Sequence, residues 1–153
     1  MKNSFGIAQL ILRLALGAGF IIPVMDRFGL MGPPGSGVAW GDWHHFVDYT
    51  QTLVPFAGRP FAEVMSLLAT IAELVFGTCL IIGFRIKEAA LGAAILTLIF
   101  GLCMAIFVSI NAPFSYPVFV FTGAALVLSG LEHHYWSMDN DFKNLRKQRV
   151  PEN

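Results

Sequence analysis

The chain has 153 residues, no net formal charge, 56% hydrophobic residues, only 13% charged residues and a mean hydropathy of +0.65. A soluble domain carries about a quarter of its residues as charges, so a fully solvated globular surface is excluded and a bilayer-embedded chain is expected. The balanced charge offers nucleic acid no basic surface to bind.

The charges cluster in short stretches and leave four apolar blocks, roughly 5–25, 61–84, 89–110 and 114–131. Each is close to the roughly 20 residues that cross a bilayer as a helix. They predict an all-α integral membrane protein, an antiparallel bundle of four transmembrane helices forming one domain over residues 1–136. The first block follows Lys2 as a secretory leader would, but its length, its internal Arg13 and the lack of an A-x-A exit predict a retained span. Gln9, Arg13, Gly17, Phe20, Val24 and Arg27 recur along it at steps of three or four and share one helix face. Pro23 is expected to kink it.

Residues 26–60 form the loop between the first two spans. Its glycine- and proline-rich start, Gly29 to Gly37, is irregular by composition. Beyond it Trp40, Trp43, Val47 and Thr50 recur at helical spacing. The spacing predicts a short interfacial helix with its aromatic face among lipid headgroups, lying over the mouth of the bundle as a lid; a plain aromatic belt explains the same pattern.

In the second block Ala62, Ser66, Thr70, Glu73 and Gly77 share a face, with Glu63 at its edge. The third offers Ala90, Ala93 or Ala94, Thr97, Gly101 and Met104, ending near Asn111. The fourth offers Thr122, Ala125 and Ser129. Small and polar residues of this kind are what membrane helices pack with, because lipid supplies no hydrophobic drive between them. Cys79 and Cys103 fall at different depths in different spans, which argues against a disulfide. Lys2, Arg85, Lys87, Lys143, Arg146, Lys147 and Arg149 all lie at one end of such a bundle. The positive-inside rule then places both termini in the cytoplasm of a multi-pass inner or plasma membrane protein, with residues 137–153 as a basic cytoplasmic tail.

Glu73 is the costliest residue in this scheme, since a carboxylate at bilayer depth is expected to face protein and to be paired. Counting inward from the helix ends puts Arg13 at a comparable depth. A buried Arg13–Glu73 pair is therefore expected, either handling a proton or fixing helix register. A second polar cluster is expected at the opposite mouth, where Asp26, Arg27, His44, His45, Glu63, Asn111 and Tyr116 would bind the polar head of a small ligand; charges snorkelling at an interface account for the same residues. No metal site is expected: His133 and His134 are adjacent and diverge on a helix, and no metal, phosphate-loop or dinucleotide motif occurs.

Two segments carry a family resemblance. Leu12-Arg13-Leu14-Ala15-Leu16-Gly17-Ala18-Gly19-Phe20 places an arginine inside the first span. Ala72-Glu73-Leu74-Val75-Phe76-Gly77-Thr78-Cys79-Leu80-Ile81-Ile82-Gly83-Phe84-Arg85 places a glutamate, glycines and a short basic turn in the second. The pattern resembles the DoxX family of small four-span membrane proteins through spans one to three, and through span four by architecture. The chain departs from it in the acid Asp26 beside the basic Arg27 and in its longer first loop. The resemblance implies a membrane subunit associated with redox chemistry, with a quinone as the cofactor class and a redox enzyme or other membrane protein as partner. A non-enzymatic scaffold or assembly factor is the competing reading, and self-association is left open. Four short spans without an internal repeat leave little room for a transporter.

Overall fold

The computed structural model describes residues 2–140. Among these there is no strand. The helices are α1 (Lys2–Arg27), α2 (Trp43–Leu53), α3 (Arg59–Ile82), α4 (Ile86–Cys103), α5 (Ala112–Ser115) and α6 (Val118–Ser129), and a π-helical turn, Met104–Val108, prolongs α4. Three stretches are long and apolar enough to cross a membrane: Ser4–Arg27, Arg59–Ile82 and Ile86–Val108. Their outward faces carry exposed Ile11, Ile71, Leu74, Ile95 and Ile99, an apolar surface that water does not tolerate and acyl chains do. The chain is a membrane protein.

The inward faces are the stripes expected from periodicity. Gln9, Arg13, Phe20, Val24 and Arg27 are buried on α1, as are Ala62, Ser66, Thr70 and Glu73 on α3, Ala90, Ala93, Ala94 and Thr97 on α4, and Thr122, Ala125 and Ser129 on α6. α1 runs antiparallel along α3, α3 flanks α4, and α6 lies along α4 and returns to α1. Gly17 and Gly77 set the α1–α3 register. A Cβ on Gly17 would stand 3.0 Å from the Gly77 carbonyl oxygen and 2.6 Å from Ile81, so only glycine lets the two backbones approach this closely. Between α4 and α6 the hydroxyls of Thr97 and Thr122 meet at 2.8 Å, one donating to the other while the accepting hydroxyl gives its own hydrogen to a carbonyl of its helix. Cys79 and Cys103 are free thiols.

The fourth apolar block departs from the expected single helix over 114–131. Pro113 opens the one-turn α5, Tyr116 is extended, and α6 starts only after Pro117. Proline has no N–H to donate and biases the residue before it away from helix, so Pro117 divides a run that hydropathy shows as continuous. At 1.5 Å per residue α6 is about 18 Å long, short of the roughly 30 Å of bilayer hydrocarbon. Pro23, by contrast, stays inside an unbroken α1.

Residues 132–140, which take in the end of the expected domain at 136 and the first residues of the expected tail, return to the helix ends. Gln9 Nε2 donates to the His133 carbonyl at 2.8 Å and its Oε1 accepts from Tyr135 N at 3.0 Å. The Asp139 carboxylate accepts from Arg85 N and Ile86 N at 2.8 and 2.9 Å. It thereby caps α4, whose own N-cap residue supplies no side chain. The basic residues from Lys143 onward lie outside the described residues.

Candidate functional site

Glu73 is buried, 6% exposed, as expected, but its partner is Arg27 and not Arg13. Arg27 Nη1 stands 2.7 Å from Glu73 Oε2 and donates to Thr70 Oγ1 at 2.9 Å. The guanidinium carbon lies 3.5 Å from the centroid of the Phe46 ring, so the cation is bounded by a carboxylate, a hydroxyl and an aromatic face. The pair is close, and Arg27 Nε is left without a hydrogen-bond partner.

Side-chain direction explains the correction. In a helix the Cα–Cβ bond leans toward the N-terminus. α1 and α3 are antiparallel, so Arg27 leans back toward the middle of α1 while Glu73 leans toward the end of the fold that carries the first loop. They converge. Arg13 leans the opposite way, toward the chain termini. With Gly17 facing Gly77, the Arg13 guanidinium comes beside Gly83 and stands roughly 15 Å along the axis from the level of Glu73. Its guanidinium donates to the carbonyls of Trp136 at 3.0 Å and Tyr135 at 3.5 Å. Arg13 is a clamp on the returning C-terminal segment.

A cavity of about 560 Å³ opens beside the Arg27–Glu73 pair. Its walls come from Gly19, Phe20, Ile22 and Pro23 of α1, Thr97 and Phe100 of α4, Met104 of the π turn, and Tyr116, Pro117, Val118 and Phe121 leading into α6. The loop and α2 supply the roof through Met31, Val38, Trp40, Phe46 and Tyr49. The lining is apolar apart from a few groups, among them Asp26, Arg27, Glu73, Thr97 and the two tyrosines. Burial pushes the Tyr49 phenol above its usual pKa, which keeps it neutral and able to donate.

The roof follows from local sequence. Asp42 caps α2, accepting from His45 N at 2.9 Å. Phe46, Val47, Thr50 and Leu53 are the buried face of α2 and turn toward the helices, whereas the aromatic stripe was expected to turn toward lipid. Trp40 joins this face, packing against Phe46 and Tyr49 with ring centroids 5.4 and 4.9 Å apart. Asp26 latches the loop down: Oδ2 accepts from Trp40 N at 2.8 Å and Oδ1 from Gly41 N at 3.1 Å. The latch requires glycine at 41, where φ is +73° and a Cβ would stand 2.4 Å from Pro34 N.

Of the expected ligand-binding residues, Asp26, Arg27 and Tyr116 line the cavity together with Glu73. His44, His45, Glu63 and Asn111 do not; all four are exposed on the outside of the roof or at the helix ends. His45 Nδ1 bonds Asp42 at 2.8 Å, His44 Nε2 is 3.4 Å from Arg59, and Glu63 pairs with Arg59 at 3.6 Å. Asp48, held below the usual carboxylate range by its hydrogen bond from Arg59, ties α2 to the start of α3. Sequence reasoning placed Met104 on the inward stripe of the third block but missed Phe46, Phe100 and Phe121. Only Phe46 carried a local signal, lying three residues after Trp43 on the same helix. Among the described residues no cluster of side chains suits a metal ion. No family model, curated protein or solved structure matches the chain.

Proposed function

We propose that the protein is a multi-pass membrane protein of DoxX-like plan that binds a small amphipathic molecule of quinone type in the cavity beside Arg27 and Glu73, as a subunit associated with membrane redox chemistry. On this reading α6, with its short approach helix, completes a four-helix bundle as a fourth, partly helical crossing. Both termini then lie on the cytoplasmic side of the inner or plasma membrane. One observation carries the proposal. A buried ion pair forms one wall of a mostly apolar, aromatic-lined cavity large enough for a ring and part of a chain. Small-molecule sites have this composition, mostly apolar with a few placed polar groups.

Arg27 is the donor such a head group needs for a carbonyl oxygen. Glu73 keeps that cation tolerable in a low-dielectric site. The acyl-like remainder of the ligand would lie against Ile22, Pro23 and Phe121. Isothermal titration of the full chain in detergent micelles with tetramethyl-1,4-benzoquinone tests the proposal. Saturable binding is expected, lost when Val118→Trp fills the cavity rim. No saturable binding, or binding indifferent to Val118→Trp, removes the site and returns the chain to the scaffold reading.

A further inference from the structure

Glu73, Arg27 and Asp26 are the charged groups of the cavity lining among the described residues, two carboxylates against one guanidinium. Asp26 has both oxygens engaged by Trp40 N and Gly41 N. Thr97 is satisfied by Thr122 and by its own helix. Glu73 differs: it is buried, it lines the cavity, and its side-chain partner among the described residues is Arg27 alone, 2.7 Å from Oε2. A carboxylate offers about four acceptor sites, so a single cation leaves capacity free, and a donor arriving with a ligand forms a charge-assisted bond of the stronger kind. The excess negative charge of the lining opposes an anionic head group, whose desolvation nothing in the cavity offsets.

We infer that the cavity selects a neutral, hydroxyl-bearing amphiphile, a phenol, a quinol or a long-chain alcohol, whose O–H donates to Glu73 while its oxygen accepts from Arg27. The inference rests on the cavity reading above and deepens it. For a quinone couple it makes the reduced, hydroxylated form the tighter-held one. A phosphate or carboxylate amphiphile is rejected. No electron or proton transfer is part of the inference, which concerns recognition alone.

Three probes of equal apolar bulk separate the cases: 4-octylphenol, its methyl ether 4-octylanisole and the anion 4-octylbenzoate. Each is titrated calorimetrically into the full chain in detergent micelles at neutral pH. The phenol is expected to bind about tenfold to a hundredfold more tightly than the ether, the range of one hydrogen bond to a charged group. The benzoate is expected to bind most weakly. The paired variant Arg27→Met with Glu73→Leu replaces the ion pair by apolar side chains, an exchange folds often tolerate. It is expected to bind phenol and ether equally. Equal binding of all three probes to the natural chain, or tightest binding of the benzoate, overturns the inference and leaves the cavity reading standing. Failure of every probe to bind overturns both.

Discussion

Two arginines on one face of α1 make opposite bargains with their surroundings. Arg27, at the end carrying the first loop, meets a carboxylate, a hydroxyl and an aromatic ring beside an open cavity. Arg13, near the chain termini, donates its hydrogen bonds to backbone carbonyls of a segment packed across the helix ends, which also brings the Asp139 carboxylate close enough to act on its charge. The first arrangement confines two opposite charges at the wall of a cavity, as binding sites do. The second spends a charge on holding chain in place. A buried arginine in a membrane helix is therefore not a functional signal by itself; the chemistry of its partners separates a site from a clamp.

The comparison breaks most visibly at Glu73. Glu73→Leu leaves Arg27 buried without a counter-charge and is expected to destabilise the fold by about 3–5 kcal/mol, read as a lowered Tm in detergent, while adding Arg27→Met restores most of the loss. Arg13→Met is expected to cost less, about 1.5–3 kcal/mol for bonds from a charged donor to carbonyls. Its signature is local: faster hydrogen exchange and proteolysis at 132–140, with ligand binding in the cavity unchanged. Asp139→Ala removes the cap of α4 and is expected to cost about 1 kcal/mol, loosening the same segment. The smallest effect concerns the roof. Asp48 has a folded pKa depressed by Arg59, so its contribution is present above the ordinary carboxylate pKa, about 4, and fades as pH falls through the lower folded value. Hydrogen exchange in α2 is expected to rise below about pH 4, and Asp48→Asn should show the raised rate already at neutral pH.

Much of the fold was legible because helical packing in a membrane writes itself as a periodic stripe. The burial of Ala62, Ser66, Thr70 and Glu73, and of Gln9, Arg13, Phe20 and Val24, follows directly from that periodicity. The Glu73 partner was not legible from depth counted along each helix, because depth ignores the lean of side chains and the register that Gly17 and Gly77 impose. The break at Pro117 was present in the sequence but hidden by hydropathy, which averages over a turn. Asp139 capping a helix that begins at Ile86 had no local signal at all, since nothing in residues 132–140 refers to that helix start. The roof was half legible: a helix after Gly41 was expected and occurs, but which face turns inward depends on the cavity beneath it.

The central claim is that Glu73 works with Arg27 and not with Arg13. A pair of double-mutant cycles in detergent tests it most directly, one combining Glu73→Leu with Arg27→Met and the other combining Glu73→Leu with Arg13→Met. The account predicts a coupling of several kcal/mol in the first and additivity within about 0.5 kcal/mol in the second. Coupling concentrated in the Arg13 cycle, with the Arg27 cycle additive, would contradict it.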